Sequence, residues 1–314
     1  MGRKFLIVPL LLVACGCGSD PTAAGPATAG GASGRLRILA TTGMIADAAR
    51  RVGGDLVEVT ALMGPGVDPH LYQPTARDQS QLKAAQLILY NGLHLEGKMA
   101  ELFESLSKQK HVVAVSHDLP TEKLLSWRES AGMHDPHIWF DVTLWQQAVR
   151  TISRACSEAD PAHAADFEQR SSDYLAELEH LDRECHELAD RLPRDRRVLI
   201  TSHDAFHYFG KAYGFDVVGI QGISTETEAG LKAITDAVDL IRRRKIRAIF
   251  PETSVSRAAI ERVATDGHVS LGSELYSDSL GSPDSPAGTY VGMIRANMEN
   301  IVKSLQGSTT DSAH

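Results

Sequence analysis

Short apolar runs alternate with amphipathic stretches along two long segments of the chain, residues 35–162 and 193–314. Eight apolar runs predict β-strands, at residues 36–40, 57–62, 87–90, 112–115, 198–201, 217–220, 246–250 and 269–271. Seven amphipathic stretches predict helices, at residues 44–52, 79–85, 99–106, 205–213, 231–243, 257–265 and 290–305. Because this alternation is typical of parallel sheets, the pattern predicts an α/β fold with two lobes, each a mainly parallel four-stranded sheet flanked by helices.

The segment between the lobes, residues 163–192, contains neither glycine nor proline. Its apolar residues recur at helical spacing: Tyr174, Leu175, Leu178, Leu181, Cys185 and Leu188. This stripe predicts one long linker helix, about 40 Å from end to end. Since large hinge motions need flexible connections, a stiff linker predicts that the lobes open only slightly.

The first residues of the chain follow a different pattern. Arg3 and Lys4 precede an apolar run at residues 5–14 that is too short to span a bilayer. This arrangement is typical of a signal peptide, which we assign to residues 1–14. A signal peptide implies export, so the sequence predicts an extracytoplasmic protein.

The apolar run ends in a motif that resembles the bacterial lipobox, Leu12-Val13-Ala14-Cys15. Cleavage before Cys15 and acylation of its thiol would anchor the protein to a bacterial membrane. Cys17 as the acylated residue and a plain secretory signal are the alternatives. Residues 15–34 are then a lipidated flexible tether, because residues 18–34 are Gly, Ala, Ser, Thr and Pro with a single Asp.

The 314-residue chain carries 32 basic and 40 acidic residues, which gives a formal net charge of -8. This balance argues against a nucleic-acid partner, because binding to phosphates needs an excess of Lys and Arg. Two further cysteines, Cys156 and Cys185, lie on either side of a turn between helices predicted at residues 160–163. Cys156 lies close to this turn, whereas Cys185 lies far along the second helix. At about 1.5 Å per residue they lie roughly 30 Å apart, so we predict two free thiols rather than a disulfide.

Ligands of open α/β sheets bind beyond the carboxyl ends of the strands. Four predicted loops there carry potential metal ligands: His70 in the first, His134 and His137 in the second, His203 in the third and Asp278 in the fourth. A single histidine in such a loop is more often structural than a ligand, but the tripeptide Asp-Pro-His occurs twice, at residues 68–70 and 135–137. Proline favours an extended residue before it, which leaves the carboxylates of Asp68 and Asp135 able to orient the imidazoles. The repetition therefore favours a metal site.

Seven short stretches match one family together: residues 41–45 (TTGMI), 66–72 (GVDPHLY), 90–96 (YNGLHLE), 135–139 (DPHIW), 202–206 (SHDAF), 225–229 (TETEA) and 278–281 (DSLG). With them the chain resembles the substrate-binding lipoproteins of zinc and manganese ABC importers, over essentially its whole length after the tether. The resemblance implies a metal ion held between two lobes by four ligands, two from each lobe: His70, His137, His203 and Asp278. It also implies a monomer that delivers Zn²⁺ or Mn²⁺ to an ABC permease and its ATPase.

Three further histidines lie near these loops and are not expected to bind the ion: His94, His134 and His207. Pro136 argues against the helix that would bring His134 to the same ion, and His207 is expected to pack or to face solvent. Glu252 is different, because it follows a predicted strand and is expected to orient the ring of His203.

The predicted ligand set bears on which metal is bound. Three imidazoles and one carboxylate favour zinc, because nitrogen ligands suit zinc and the intrinsic affinity order puts zinc above manganese. A carboxylate that binds through both oxygens would expand the coordination, and the same architecture serves manganese within this family. The long His- and Asp-rich loop of many zinc-binding members is absent, since His134 is the one other histidine between Leu119 and His137. The sequence therefore predicts zinc first and manganese second.

Two other functions are compatible with several histidines on an exported protein: a secreted zinc hydrolase and a surface adhesin. A hydrolase is disfavoured because the chain has no His-Glu-x-x-His motif and a fourth protein ligand would fill the position of a catalytic water. An adhesin is disfavoured because neither a repeat nor an exposed aromatic surface is evident. The sequence predicts a binding protein rather than an enzyme.

Overall fold

The computed structural model describes residues 1–2, 34–127, 130 and 132–306. Cys15 and most of the predicted signal peptide and tether lie outside these residues. A compact unit begins at Arg35, and every residue of its hydrophobic cores lies between Leu36 and Leu305. A chain that begins at residue 18 therefore contains the whole core. In the part that the structure describes, none of the helices combines the length and the apolar character needed to cross a membrane.

Four parallel strands build the sheet of the first lobe: β1 (Leu36–Ala40), β2 (Val57–Ala61), β3 (Leu87–Tyr90) and β4 (His111–Ala114). They lie in the order β2–β1–β3–β4, and the helices between them are α1 (Gly43–Gly53), α2 (Ala76–Ala84) and α3 (Ala100–Ser107). Leu87, Ile88 and Leu89 of β3 are fully buried, as expected for an inner strand of a parallel sheet. The predicted four-stranded sheet is confirmed.

Two long antiparallel helices follow, α4 (Val142–Ala159) and α5 (Ala164–Ala189). Asp141 begins α4 as its N-cap, because its carboxylate accepts from the backbone N–H of Thr143 at 2.8 Å. The predicted long helix is α5, whose 26 residues span about 39 Å. It is slightly shorter than the predicted 163–192, since it ends at Ala189 and His163 belongs to the 3-10 turn Pro161–His163 before it. Cys156 and Cys185 are buried free thiols, which confirms the prediction that they form no disulfide.

The second lobe repeats the alternation of strands and helices. Its strands are β5 (Val198–Thr201), β6 (Asp216–Gly219), β7 (Ala248–Ile249) and β8 (Ser270–Leu271). Its helices are α6 (His207–Tyr213), α7 (Leu231–Arg244), α8 (Ala258–Gly267) and α9 (Tyr290–Gln306). The strands form two parallel pairs, β5–β6 and β7–β8, which meet where the N–H of Phe250 donates to the carbonyl of Ile200 at 2.8 Å. The α/β class is confirmed, although this sheet is less regular than the first.

One hydrophobic core runs through both lobes and α5. It includes residues from the first sheet, from α5 and from the second lobe: Ile38, Leu87, Tyr174, Leu178, Leu199, Phe250 and Tyr290. The linker helix packs against α1, α4 and α9. Because a wide separation of the lobes would expose this shared apolar surface to water, the core favours the small opening that a stiff linker predicts.

Candidate metal centre

All four predicted ligands come together at the carboxyl edges of the two sheets. One ligand atom from each of His70, His137, His203 and Asp278 lies within 4.8 Å of the other three. The four residues are buried, with at most 4% of their surface exposed. Two belong to the first lobe and two to the second, so an ion at this centre would join the lobes.

Local structure explains how each side chain reaches the centre. His70 lies on the loop between β2 and α2, where Gly66 takes a φ of 73°, a left-handed conformation that glycine adopts without strain. His137 immediately precedes the 3-10 turn that leads into α4, and His203 follows β5 by two residues. Asp278 lies on the long segment between β8 and α9.

Four distances between ligand atoms are close to those expected around a tetrahedral ion. The Nε2 atom of His137 lies 3.3 Å from that of His70 and 3.4 Å from that of His203. The carboxylate oxygens of Asp278 lie 3.5 Å from the Nε2 atoms of His137 and His203. Ligands at about 2.0–2.1 Å from a tetrahedral ion are roughly 3.3–3.4 Å apart, which is close to these distances. The ligand atoms of His70 and Asp278, which lie within 4.8 Å of each other, would have to move closer when an ion binds.

Asp278 leaves one oxygen available for an ion. Its Oδ2 atom accepts from the hydroxyl of Ser254 at 3.0 Å. Its Oδ1 atom is buried and has no hydrogen-bond partner among the described residues. Since a buried oxygen without a partner costs free energy, this atom is satisfied best by a cation.

Two buried carboxylates orient two of the imidazoles. Asp135 accepts from both the ring Nδ1 of His137 at 2.7 Å and the backbone N–H of the same residue at 2.9 Å. Glu252 makes the equivalent pair of contacts with His203, at 2.5 Å to Nδ1 and 2.8 Å to the backbone N–H. Because Nδ1 carries the proton in each contact, Nε2 is left to bind a metal at the centre.

Asp68 makes different contacts from those expected. Its Oδ1 atom accepts from the backbone N–H of His70 at 2.8 Å, not from the imidazole ring. Its Oδ2 atom accepts from the hydroxyl of Thr225 in the second lobe at 2.5 Å. The turn at Pro69 brings the carboxylate back to the main chain, so Asp68 links the His70 loop to the opposite lobe instead of orienting the ring.

The neighbouring charges give the three histidines different pKa values. Burial alone would lower the pKa of His137, but the Asp135 and Asp278 carboxylates outweigh it and raise that pKa to about 9. The carboxylates of Glu252 and Asp278 likewise raise the pKa of His203 well above its usual value, against the effect of burial. Burial lowers the pKa of His70 to about 3, because the opposing effect of the Asp278 carboxylate is too small to offset it.

The remaining histidines lie outside the cluster. His207 is 32% exposed, and its Nε2 atom contacts Asp204 at 3.1 Å. His94 is exposed and His134 is partly exposed. Neither belongs to the group of four.

Three contacts near the centre were not found from the sequence. Ser254 holds Asp278, Thr225 holds Asp68, and the indole N–H of Trp139 donates to the carbonyl of Ser277 across the lobes at 2.9 Å. Each pairs residues more than 20 positions apart. The matched stretch at residues 225–229 was the one signal that pointed to any of them.

The chain is similar to proteins of known role. It is 43% identical to the manganese-binding lipoprotein MntA of Bacillus subtilis, over 93% of this chain and 94% of that protein. It is 30% identical to the metal ABC transporter substrate-binding lipoprotein FimA of Streptococcus parasanguinis, over 96% of each. The solved structure of the periplasmic zinc-binding protein TroA from Treponema pallidum matches 87% of this chain and 99% of its own, with 43% identity and a TM-score of 0.84.

The match to a protein family covers the entire candidate centre. Residues 38–304 match the family of ZnuA, the periplasmic zinc-uptake complex component A. This range contains all four clustered residues and both carboxylates that orient imidazoles. The chain belongs to the ZnuA family.

Proposed function

We propose that this protein captures one divalent transition metal ion between its lobes and delivers it to an ABC permease and its ATPase. The observation that carries the proposal is the buried group of three imidazoles and one carboxylate, whose ligand atoms lie within 4.8 Å of one another. His70, His137, His203 and Asp278 are the ligands. Asp135 and Glu252 hold two of the rings.

The protein acts as a binding component and not as an enzyme. Four protein ligands fill a tetrahedral shell, which leaves no position for the water that a zinc hydrolase needs. The relatives carry the names of metal-binding lipoproteins and of an ABC transporter substrate-binding lipoprotein. Neither a hydrolase nor an adhesin gains support from the centre or from the relatives.

Zinc is the preferred cargo and manganese is the second candidate. Similarity does not separate them, because the manganese-binding MntA and the zinc-binding TroA are both 43% identical to this chain. The ligand chemistry favours zinc, since imidazole nitrogen binds zinc more tightly than manganese. Asp278 is able to use its second oxygen, which would serve the larger coordination number of manganese.

Capture closes the loop that carries His70 against the second lobe. The N–H of Gly66 donates to the hydroxyl of Ser279 at 2.9 Å, and Thr225 donates to Asp68 at 2.5 Å. Lys98 pairs with Glu226 across the same gap at 2.5 Å. Because the shared core resists large movements, we expect release of the ion to use a small opening that breaks these contacts.

The N-terminus anchors the protein outside the cytoplasm. Cys15 becomes the acylated first residue after the signal peptide is removed, and residues 15–34 tether the folded part to a bacterial membrane. Radiolabelled palmitate should enter the wild-type protein and the Cys17→Ala variant but not the Cys15→Ala variant. Loss of label in the Cys17→Ala variant instead would show that Cys17 is the acylated residue.

Calorimetric titration tests the metal proposal directly. The metal-stripped chain from residue 18 is titrated with zinc and with manganese, beside the variants His203→Ala and His207→Ala. We expect one zinc ion per chain, bound more tightly than manganese, with binding lost in His203→Ala and retained in His207→Ala. Tighter manganese binding would reverse the order of the metals, and equal losses in both variants would refute the ligand assignment.

A further inference from the structure

Two segments of the second lobe reverse the acidic balance of the chain. Residues 194–197 and 242–247 contain eight basic residues and one acidic residue in ten positions. The basic residues are Arg194, Arg196, Arg197, Arg242, Arg243, Arg244, Lys245 and Arg247. The remainder of the chain has 24 basic and 39 acidic residues. The positive charge is therefore concentrated locally.

The fold brings these two segments together. The first leads into β5 and the second into β7, the two strands that meet at Phe250. Residues from both line one surface pocket of about 260 Å³, where Arg196, Arg244, Lys245 and Arg247 outnumber the one acidic residue, Asp195. The amino ends of these strands lie at the edge of the sheet opposite to their carboxyl ends, so the pocket is on the far side of the lobe from His203.

Seven of the eight basic residues are exposed, and we call these seven the basic patch: Arg194, Arg196, Arg242, Arg243, Arg244, Lys245 and Arg247. Arg197 is excluded because it is 6% exposed and donates to Leu192, Tyr213 and Asp190. Within the basic patch, Arg244 contacts the carboxylate of Asp216 at 3.1 Å.

Most of the charge in the basic patch has no partner of opposite sign. Arg242 and Arg247 donate to backbone carbonyls, which carry no net charge. Arg196, Arg243 and Lys245 form no ion pair with any described residue. Since like charges at one surface repel, the basic patch destabilises the free protein unless an anion neutralises it.

Helix stability explains only part of the basic patch. The three arginines in the last turn of α7 interact favourably with the negative end of the helix dipole. This reason does not apply to Arg194 and Arg196, which lie on the other segment. Lys245 takes a φ of 51°, a left-handed conformation in which glycine is the usual residue at a helix end. A residue that serves only to end α7 has no need of a lysine side chain.

We propose that the basic patch binds the phosphate groups of anionic membrane lipids. Six of its seven side chains are guanidinium groups, which pair with phosphate through two parallel hydrogen bonds. The proposal rests on the proposed membrane anchoring, which keeps the protein beside a lipid surface. A cationic surface does not attract a divalent metal, so capture of the ion is not its role. Docking by this edge faces His203 away from the lipid, so the protein would have to leave this surface before handing its ion to a permease in the same membrane.

Vesicle sedimentation tests the proposal with the chain from residue 18, which lacks both candidate acylation cysteines. We expect binding to phosphatidylcholine vesicles that contain phosphatidylglycerol, no binding to pure phosphatidylcholine vesicles, and weaker binding as salt is added. The triple variant Arg196→Gln, Arg243→Gln, Lys245→Gln should bind the anionic vesicles less well, by about fivefold for each charge removed.

A matched variant controls for net charge. Arg77→Gln, Lys83→Gln, Lys108→Gln removes three exposed charges from the first lobe and should leave vesicle binding unchanged. Equal binding to both kinds of vesicle, or an equal loss in the control variant, overturns the proposal. Unchanged vesicle binding by the triple variant together with lost metal uptake in cells also overturns it, and would assign the basic patch to an acidic protein surface.

Metal titration of the same triple variant separates this proposal from the proposed function. Zinc affinity should equal that of the wild-type protein, because none of the three residues lies at the metal centre. Failure of vesicle binding with normal zinc binding therefore rejects the lipid site alone. Failure of zinc binding in the wild-type chain rejects the metal receptor and leaves the vesicle result to be judged separately.

Discussion

The two Asp-Pro-His tripeptides have the same residues but different contacts. Asp135 accepts from both the ring and the backbone of His137. Asp68 accepts from the backbone of His70 only, and its second oxygen reaches Thr225 in the opposite lobe. The tripeptide at residues 135–137 fixes a ligand in place. The tripeptide at residues 68–70 links the loop that carries a ligand to the opposite lobe.

Their surroundings also separate the two imidazoles chemically. The pKa of His137 is raised to about 9, so its ring is protonated at neutral pH before an ion arrives. The pKa of His70 is lowered to about 3, so its ring is already neutral. An ion must therefore displace a proton from His137 but not from His70. Contacts made by the folded chain, and not the tripeptide itself, determine these roles.

Removal of the fixed ligand should have the largest effect. We expect His137→Ala to weaken zinc binding by more than roughly 100-fold, the upper range for loss of a residue that only supports a ligand. His207→Ala is the matched control and should change the affinity little. Competition with a chromogenic chelator measures both variants. A small effect of His137→Ala would mean that the centre does not use this imidazole.

Removal of the carboxylate that orients His137 should have the next largest effect. We expect Asp135→Asn to weaken zinc binding by about 10- to 100-fold, because a neutral amide oxygen holds the ring Nδ1–H less strongly than a carboxylate does, while Nε2 remains available. In a His137→Ala background the same substitution should add little, since the ring it supports is gone. Independent, additive losses in the double variant would show that Asp135 acts in another way.

Substitutions of Asp68 or of its partner Thr225 should have a smaller effect, mainly on the rate at which zinc is released. Thr225→Val removes this contact between the lobes and Asp68→Asn weakens it by loss of the charged acceptor, an effect worth roughly 2- to 10-fold in affinity. We expect faster dissociation of zinc in both, measured by stopped-flow transfer to a chelator. The double variant should release the ion no faster than the Thr225→Val variant. A loss as large as that of Asp135→Asn would remove the distinction between the tripeptides.

The smallest expected effect is a change with pH in the free energy of unfolding of the metal-free protein. A histidine whose pKa is raised on folding adds stability below its unfolded value of about 6.5, and this stability is lost as pH rises towards 9. The free energy of unfolding in urea should therefore fall between about pH 6.5 and 8.5. This fall should weaken in His137→Ala and persist in His70→Ala, because His70 is neutral throughout that range. Equal pH profiles in both variants would contradict the assigned pKa values.

The sequence was sufficient for features that leave a local pattern. Buried strands such as β1 and β3 are short apolar runs, and α5 carries an apolar stripe over 26 residues. The clustering of the four candidate ligands could be predicted because they lie in loops that follow predicted strands and because the chain resembles a known family. These features need no knowledge of contacts between distant residues.

Features that depend on distant contacts could not be predicted. Nothing in the residues around Asp68 indicates that it will meet Thr225, 157 positions away, instead of the ring two residues later. Strands β7 and β8 were predicted longer than they are, because an apolar run does not reveal where its partner strand ends. The basic patch also escaped notice, since its two segments are separated by more than 40 residues and join only in the folded lobe.

The core shared by both lobes and α5 has a consequence for folding. Each lobe has a smaller hydrophobic cluster of its own, but the largest cluster joins both lobes and α5, so unfolding of either lobe alone would expose apolar surface of the other. A bound ion that touches both lobes stabilises the folded state as one cooperative unit, so the cargo protects the entire receptor from unfolding.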